Sequence, residues 1–214
     1  MGNWLAGAAR PGQHVGVSAP TDANPPLAVA PPVRIALPGA AVLVRCDPAR
    51  AESAAAAINA SLEHLRPWMA WASEPSTVAG MGTFFAAQAE LWEARRDFGY
   101  TILDAGTEDV IGGCGLHNRL GPGALEIGYW VRVDRAGQGL ATVAAGALTA
   151  AAFALDGIGR VEIHCEEHNH RSARVPEKLG YAFRGLEVPE GGPCAGRPTQ
   201  IWEITEPGWR ALTP

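Results

Sequence analysis

Residues 125–155, LEIGYWVRVDRAGQGLATVAAGALTAAAFAL, predict a strand, a glycine turn and a helix in succession. The odd-numbered positions from Leu125 to Val133 are all apolar or aromatic, which is the period of a strand with two different faces. Gly137 and Gly139 interrupt that pattern, and the Ala-rich run after them contains no proline, which indicates a helix. The N–H groups at a helix start have no partner inside the helix and lie at the positive end of its dipole. The stretch therefore predicts a pyrophosphate site, although such a glycine pair can also form only a tight turn.

Three nucleotide-binding folds contain a glycine turn of this kind. A P-loop needs Lys and then Ser or Thr directly after its last glycine, where this chain has Leu140-Ala141, so the pattern disfavours a P-loop. Gly137-x-Gly139-x-x-Thr142 misses a Rossmann fingerprint by one residue, because Thr142 stands at its last glycine, although Glu162 follows about twenty residues on, as its acidic residue would. The third fold binds an acyl-coenzyme A, with the pyrophosphate at the turn and the pantetheine arm along the preceding strand.

Four blocks of the sequence together resemble the GNAT acetyltransferase superfamily in order and spacing. They are Glu126-Ile127-Gly128-Tyr129-Trp130-Val131, Gly137-Gln138-Gly139-Leu140-Ala141-Thr142, Asn169-x-x-Ser172 and Glu177-Lys178-Leu179-Gly180-Tyr181. The branch that the chain most resembles is the ribosomal-protein N-terminal (Rim-type) acetyltransferases, over roughly residues 34–209. One position departs from the family pattern. Ala136 stands where the family's turn usually has Arg, Gln or Trp, so one side-chain contact to the cofactor is missing while the backbone donors remain.

The resemblance implies an α/β (α+β) GNAT fold, with a mixed central sheet flanked by helices. That sheet would combine an antiparallel meander with a splayed pair of parallel strands, and the pantetheine arm of acetyl-CoA would lie in the gap. No metal ion is implied. The residues that would bind the cofactor are Val131, Val133, Gly137, Gln138, Gly139, Leu140, Ala141, Thr142, Asn169 and Ser172.

Transfer of an acetyl group from a thioester to an amine needs a neutral amine, a stabilised oxyanion and a protonated leaving thiolate. Glu126 lies on the strand face opposite Leu125 and is the predicted base. A structural carboxylate at this position is a close alternative, and Glu187, Glu190 or a water chain could replace it as the base. By resemblance, Ser172 matches a serine thought to protonate the leaving thiolate. Pro176 stands near the point where many relatives have a tyrosine as general acid.

Three aromatic residues are the predicted contacts of the acceptor amine: Trp68, Trp71 and His117. The two tryptophans lie between two predicted helices, in a loop that borders the acceptor site in related folds. Their simpler interpretation is core packing, and for a histidine at a strand end it is solvation.

The remaining pattern agrees with a GNAT sheet and disfavours the Rossmann alternative. Strands over Tyr100–Asp104, Val110–His117 and the Leu125 segment are joined by short turns, which predicts a meander, whereas a Rossmann fold needs helical crossovers. Residues 160–166 alternate again after the helix, so we expect them to pair in parallel with the Leu125 strand. Two earlier helices are predicted from the Asp47-Pro48 start to about Leu65 and from Thr77 to about Arg96.

The length of 214 residues predicts one catalytic domain, residues 34–214, preceded by an N-terminal segment of different composition. Residues 1–33 contain six prolines among Gly, Ala and Ser, without periodicity. Such a composition buries too little apolar surface to offset its ordering entropy, so the segment is predicted to be a flexible tail.

The composition limits the partners and the compartment. A net charge of −5 and a single lysine, Lys178, give no electrostatic basis for binding nucleic acid. Four widely spaced cysteines suit a reducing cytoplasm, and neither a secretory signal nor an apolar run of about twenty residues is visible. We therefore predict a cytoplasmic monomer or homodimer that uses neither nucleic acid nor a membrane.

The function predicted is N-acetylation of a primary amine, either a protein N-terminus or a small molecule, by direct attack on acetyl-CoA. A non-catalytic acyl-CoA sensor on the same fold is the main alternative, because a fold does not determine a function. A dinucleotide-binding protein is the less favoured one. A hydrolase is disfavoured because the chain has no nucleophile elbow and no Ser-His-Asp order.

Overall fold

The computed structural model describes residues 24–190 and 194–212, which contain an eight-stranded mixed sheet. Strands β1 to β8 run over Arg34–Ala36, Ala41–Arg45, Asp97–Asp104, Val110–His117, Ala124–Val131, Arg160–Glu166, Ala182–Glu187 and Thr199–Thr205. Their order across the sheet is β1-β2-β3-β4-β5-β6-β8-β7. β5 and β6 pair in parallel, and the other neighbouring strands are antiparallel. The predicted mixed sheet, with its meander β3-β4-β5, is confirmed.

Helices α1 to α6 run over Ala51–Ala60, Leu62–Leu65, Val78–Glu93, Leu140–Phe153, His170–Lys178 and Glu206–Leu212. Asp47 caps the turn that leads into α1, as predicted, because its carboxylate accepts a hydrogen bond from the N–H of Ala49. The predicted helix up to Leu65 is divided at Ser61, whose hydroxyl donates to the carbonyl of Ala57. Thr77 caps α3 in the same way as Asp47, at the N–H of Gly80.

Each face of the sheet carries its own apolar core. On one face, β5 residues such as Leu125 and Ile127 pack with Leu148 of α4 and Val161 of β6. On the other face, Trp130 packs with residues of α1 and α3. Strand alternation in β5 therefore separates Leu125, Ile127 and Tyr129 from Glu126, Gly128 and Trp130, as the sequence predicts.

The parallel pair β5–β6 is short. Cα partners extend from Ala124↔Arg160 to Glu126↔Glu162, although both strands continue for several residues beyond that point. The helix α4 provides the crossover between them, as expected for parallel neighbours. Beyond Glu126 and Glu162 the two strands diverge and leave a gap, which agrees with the splayed pair implied by the resemblance.

The predicted tail ends earlier than residue 33. Residues 1–23 lie outside the described part of the chain, but residues 24–33 contact the domain through hydrogen bonds. Leu27 N–H donates to the carbonyl of Arg95, and the Tyr100 hydroxyl donates to the carbonyl of Pro32. Most of these bonds use backbone groups, which any sequence can offer, so composition alone did not reveal them. The flexible tail stays a prediction, with residues 24–33 in contact with the domain.

Three elements were not predicted. The strand β1 has three residues, too few for a period. The edge strand β7 is exposed over nearly its whole length and contains a register shift between Phe183 and Gly185, so it lacks regular alternation. The C-terminal helix α6 begins directly after β8.

Candidate active site

A cleft of about 630 Å³ opens where β5 ends, between the start of α4, helix α5 and the α2 region. Most of the predicted cofactor residues line this cleft: Val131, Gly137, Gly139, Leu140, Ala141, Thr142, Asn169 and Ser172. They come from three different segments of the chain, and Lys178 of the fourth block lines the cleft as well. The structure therefore brings together the blocks on which the resemblance depends.

The glycine turn leaves the start of α4 open toward the cleft. Gly137 and Gly139 have φ angles of 79° and 82°, in the left-handed region that favours glycine. The first helical hydrogen bond runs from Val143 N–H to the carbonyl of Gly139, so the N–H groups of residues 140–142 precede it. A Cβ atom at Gly137 or Gly139 would meet no other atom within 4 Å. Space, donors and the helix dipole together suit a bound anion.

A basic stripe along α5 faces the same cleft. Arg171, Arg174 and Lys178 all line it, at spacings of three and four residues that place them on one side of a helix. Their charges complement a ligand that carries several phosphates. The basic stripe was not predicted. It could have been found from the spacing of three and four residues between its basic side chains, one of which is the single lysine.

Ser172 lies at the buried end of the cleft, beside Tyr129. The Tyr129 hydroxyl is 3.1 Å from both the carbonyl oxygen and the Oγ of Ser172. Burial raises the pKa of Tyr129 well above its usual value, so this phenol keeps its proton at physiological pH. Asn169 caps α5 by accepting a hydrogen bond from the N–H of Ser172. The Ser172 hydroxyl thus lies beside a protonated phenol, which suits protonation of a leaving thiolate.

Two predicted cofactor residues are placed differently. Val133 lies past the end of β5 in a 3-10 turn, and its N–H donates to the Oγ of Ser61 at 3.0 Å. Its backbone donor is therefore already engaged, and the prediction that it binds pantetheine is not supported by this geometry. Its side chain borders a second, more open cleft of about 740 Å³ along α1. Gln138 donates from its side chain to the carbonyl of Asp134 and does not line the main cleft.

The two predicted substrate tryptophans have different environments. Trp68 lines the cleft, in the connection between α2 and α3. Trp71 packs edge-on against Trp130, with ring centroids 6.3 Å apart. The indole nitrogens of Trp71 and Trp130 are both buried without a hydrogen-bond partner in the described chain. Trp68 therefore remains a predicted contact for a ligand. Trp71 packs against Trp130, which itself lines the cleft.

Glu126, the predicted base, is engaged in an ion pair. Its carboxylate accepts two hydrogen bonds of 2.7 Å from the Arg119 guanidinium, and its side chain is almost fully buried. Burial alone would raise the pKa of Glu126, but the charge and hydrogen bonds of Arg119 dominate and hold that pKa well below its usual range. A carboxylate in this state is a weak proton acceptor. The geometry supports the structural alternative for Glu126.

His117 is buried rather than solvated. Its Nδ1 lies 2.8 Å from Asp97 Oδ2, and its Nε2 has no hydrogen-bond partner among the described residues. Glu126 is its cross-strand partner on β5. The two alternative bases, Glu187 and Glu190, are exposed at the end of β7 and in the loop that follows.

A comparison with protein families decides the identity of the fold. The family model described as acetyltransferase (GNAT) domain matches residues 42–182, which is more than half of the chain. The chain belongs to the GNAT acetyltransferase family. The predicted family and the predicted acyltransferase activity are confirmed. No curated protein sequence matches this acetyltransferase.

Solved acetyltransferase structures share its fold. RimL, the ribosomal L7/L12 alpha-N-protein acetyltransferase in complex with coenzyme A, has a TM-score of 0.71 and 16% identity, covering 80% of this chain and 97% of RimL. The microcin C7 self-immunity acetyltransferase MccE, in complex with acetyl-CoA and AMP, has a TM-score of 0.72 and 19% identity, covering 81% of this chain and 97% of MccE. Mycobacterium smegmatis RimJ, in complex with CoA-disulfide, has a TM-score of 0.68 and 22% identity, covering 81% of this chain and 84% of RimJ. At such identities the likeness shows the fold alone.

Two further findings concern ligands and membranes. Within residues 24–190 and 194–212, no group of three or more His, Cys, Asp or Glu is arranged to hold a metal ion. Within the same ranges, no helix has both the length and the apolar character needed to span a bilayer.

Proposed function

We propose that this acetyltransferase transfers the acetyl group of acetyl-CoA to a primary amine, either a protein N-terminus or an amine on a small molecule. The observation that carries the proposal is the continuity of the cleft. It begins at the open N-terminus of α4, passes the α5 stripe of Arg171, Arg174 and Lys178, and ends at Ser172 beside the gap between β5 and β6. One end of the cleft has N–H donors for phosphate, and the other end has a buried hydroxyl. This arrangement suits a ligand in which a nucleotide is joined to a thioester.

Different residues of the cleft would bind the phosphates, bind the pantetheine arm and protonate the thiolate. The N–H groups of residues 140–142 would bind the pyrophosphate, and the basic stripe would bind the remaining phosphate charge. Unpaired backbone groups of β5 near Val131 would bind the pantetheine arm and stabilise the tetrahedral oxyanion, an effect worth about 3–4 kcal/mol. Ser172, held by Asn169 and Tyr129, would protonate the departing thiolate.

The neighbouring structures support an amine acceptor without identifying it. RimL is named for acetylating a ribosomal protein and MccE for immunity to a microcin, so proteins of this fold act on different acceptors. We further propose a cytoplasmic enzyme that acts as a monomer or homodimer and uses neither nucleic acid nor a membrane, consistent with the net charge of −5 and four widely spaced, buried cysteines.

A panel of amines tests the proposal. Acetyl-CoA is mixed with the enzyme and with peptides that have free N-termini, with amino acids or with small amines, and thiol release is followed. Peptides with a blocked N-terminus serve as matched controls. We expect release with at least one free amine and none with its blocked counterpart. Tight binding of acetyl-CoA by calorimetry, without release for any amine, would favour the acyl-CoA sensor instead.

A further inference from the structure

A row of ionisable side chains crosses the sheet on the face opposite α4. Its members are cross-strand partners on neighbouring strands: Asp97 with His117, His117 with Glu126, Glu126 with Glu162, and Glu162 with Glu203. Cross-strand partners point to the same face, so the five side chains form one line. His164 lies on that face too, two residues after Glu162 on β6.

His164 is located where the sheet opens. The pairing of β5 with β6 ends at Glu126↔Glu162, so His164 is the first residue of β6 on this face beyond the paired region. Continuing the same register would place it opposite Gly128, which has no side chain to occupy the gap. The side chain of His164 is 15% exposed, whereas that of Glu126 is 4% exposed. The imidazole therefore lies at the position where the gap begins and is not fully buried.

Two carboxylates flank the imidazole of His164. Its Nε2 is 2.6 Å from Glu162 Oε2, and its Nδ1 is 3.8 Å from Glu126 Oε2. Because an ionised carboxylate only accepts hydrogen bonds, Nε2 carries the proton and Nδ1 has the free lone pair. Nδ1 makes no hydrogen bond within the described chain, since 3.8 Å is too long for one. The lone pair is thus available to accept a proton.

The Glu126–Arg119 pair explains why the proton would go to His164 and not to Glu126. Arg119 occupies both oxygens of Glu126 and lowers the proton affinity of that carboxylate. The same carboxylate nevertheless remains a fixed negative charge beside Nδ1, and such a charge stabilises an imidazolium. Imidazole is also the side chain whose ordinary pKa is nearest to neutral pH, which suits a general base.

We propose that His164 is the general base of the reaction, oriented by Glu162 and electrostatically supported by Glu126; this inference rests on the proposed function. His164 Nδ1 takes a proton from the bound ammonium, and the neutral amine nitrogen attacks the thioester carbonyl carbon to form a C–N bond. The second N–H proton passes to solvent as the tetrahedral intermediate collapses. The C–S bond then breaks, and the thiolate takes a proton from Ser172. The imidazolium returns its proton to solvent, and the Ser172 hydroxyl recovers one from solvent. Deprotonation and thiolate release would occur on opposite faces of the sheet.

Several further charged groups lie around His164. Glu162 also contacts Arg160 at 3.0 Å, and Glu203 of β8 lies between Arg160 and Arg184. Further along β6 on the same face, Glu166 pairs with Arg197 at 3.5 Å. On the β4 side, the surrounding groups are His117 with Asp97, and Arg119 in the loop after β4.

The test compares H164Q with the wild-type enzyme from pH 5.5 to 10, with the best amine of the panel. Glutamine can still donate to Glu162 but cannot take up a proton. We expect kcat/KM to fall about a hundredfold at pH 7, a usual size for the loss of a general base. The loss should shrink above pH 9, because an amine with a pKa of about 8–10 becomes neutral in solution. Acetyl-CoA affinity, measured by calorimetry, should change by less than about threefold.

E166Q is the matched control, because Glu166 is the next residue of β6 on the same face and is paired with Arg197. It should keep the wild-type activity and pH profile. E162Q should give an intermediate loss, since it replaces the charged acceptor that holds the proton on Nε2 with a neutral amide. If H164Q is unstable, H164A with added imidazole replaces it, and restored turnover is expected.

The possible failures are distinguishable. If the wild-type enzyme releases thiol but H164Q keeps its pH profile, His164 is not the base and only this inference is overturned. If E126Q, rather than H164Q, removes the acid limb of the profile, Glu126 is the base and the inference is again wrong. A wild-type enzyme that acetylates no amine would refute the proposed function itself.

Discussion

Arg119 and Glu126 form a bidentate ion pair across the turn between β4 and β5, with Nε–Oε2 and Nη2–Oε1 distances of 2.7 Å. The pair lies at the last residue of β5 that is partnered with β6. It places a buried ion pair at the point where the sheet begins to open. A buried pair of this kind is strongly destabilised when one partner is removed, because the other charge remains buried.

Replacing Arg119 with methionine should therefore destabilise the protein by about 3–5 kcal/mol at pH 7 in urea unfolding. The sign of the pH dependence follows from Glu126. Its pKa is lowered in the folded wild type, so the pair's contribution is present above the ordinary carboxyl pKa and is lost as pH falls below it. In R119M, burial should raise that pKa, so the deficit should shrink toward pH 4. The double variant R119M/E126Q should recover part of the loss, and an equal deficit at pH 7 and pH 4 would contradict this account.

Replacing Gly139 with glutamate should abolish acetyl-CoA binding, with at least a hundredfold loss of affinity by calorimetry. The variant adds bulk and negative charge where the helix start would bind pyrophosphate. Gly39 supplies a matched control. Its φ angle is 85°, against 82° for Gly139, and a Cβ at either position meets nothing within 4 Å. G39E introduces the same backbone strain in the β1–β2 turn and should bind acetyl-CoA normally. Undiminished binding by folded G139E would refute the site.

Removing the Ser172 hydroxyl should slow turnover by about tenfold at saturating acetyl-CoA. The effect is smaller than that expected for a general base, because a thiol with a pKa of about 8.5 leaves tolerably as a thiolate. Y129F should give a similar loss that is not additive with S172A, since both hydroxyls belong to one network. T149V, which removes a buried hydroxyl bonded to Tyr181, is the control for hydroxyl loss elsewhere. Fully additive losses in single-turnover experiments would show that the two hydroxyls act separately.

Two truncations should differ in stability. Removing residues 1–33 should cost about 2–4 kcal/mol more than removing residues 1–23, because each lost hydrogen bond contributes about 0.5–1.5 kcal/mol. The lost bonds include Leu27 N–H to the Arg95 carbonyl and Tyr100 hydroxyl to the Pro32 carbonyl. Urea unfolding of the two proteins measures the difference. Equal unfolding free energies would show that the 24–33 segment adds no stability.

The parts of the fold that follow from local periodicity could be predicted from the sequence. The alternation from Leu125 to Val131 gives β5 and its two faces, and Gly137 and Gly139 give the open helix start. Residues that are brought together by turns could not be predicted in the same way. The contact of Arg119 with Glu126 depends on the conformation of the intervening turn, and that of Val133 with Ser61 joins segments 72 residues apart.

The same distinction explains the catalytic assignment. The alternation of β5 predicts that Glu126 lies on the face opposite Leu125, and the structure has it there. The choice of Glu126 as base depends on this position. Its proton affinity, however, depends on Arg119, and no periodic pattern reports on that partner. His164 shares the alternation of β6 with Glu162, but its importance becomes visible only when the register shows where β5 and β6 separate.

All four cysteines are buried, so their reaction with a thiol reagent reports on motions that open the structure. A sheltered thiol reacts with a disulfide reagent only when the surrounding structure opens, so its labelling rate measures how often that happens. Cys165 lies at the end of β6, where burial raises its pKa to about 11, while Cys46 belongs to the core under α1 and α3. The two therefore sample separate regions. If a ligand closes the gap, Cys165 should be labelled more slowly while the labelling rate of Cys46 stays unchanged. Because the buried cysteines react slowly, coenzyme A is the main thiol that a thiol reagent detects during turnover.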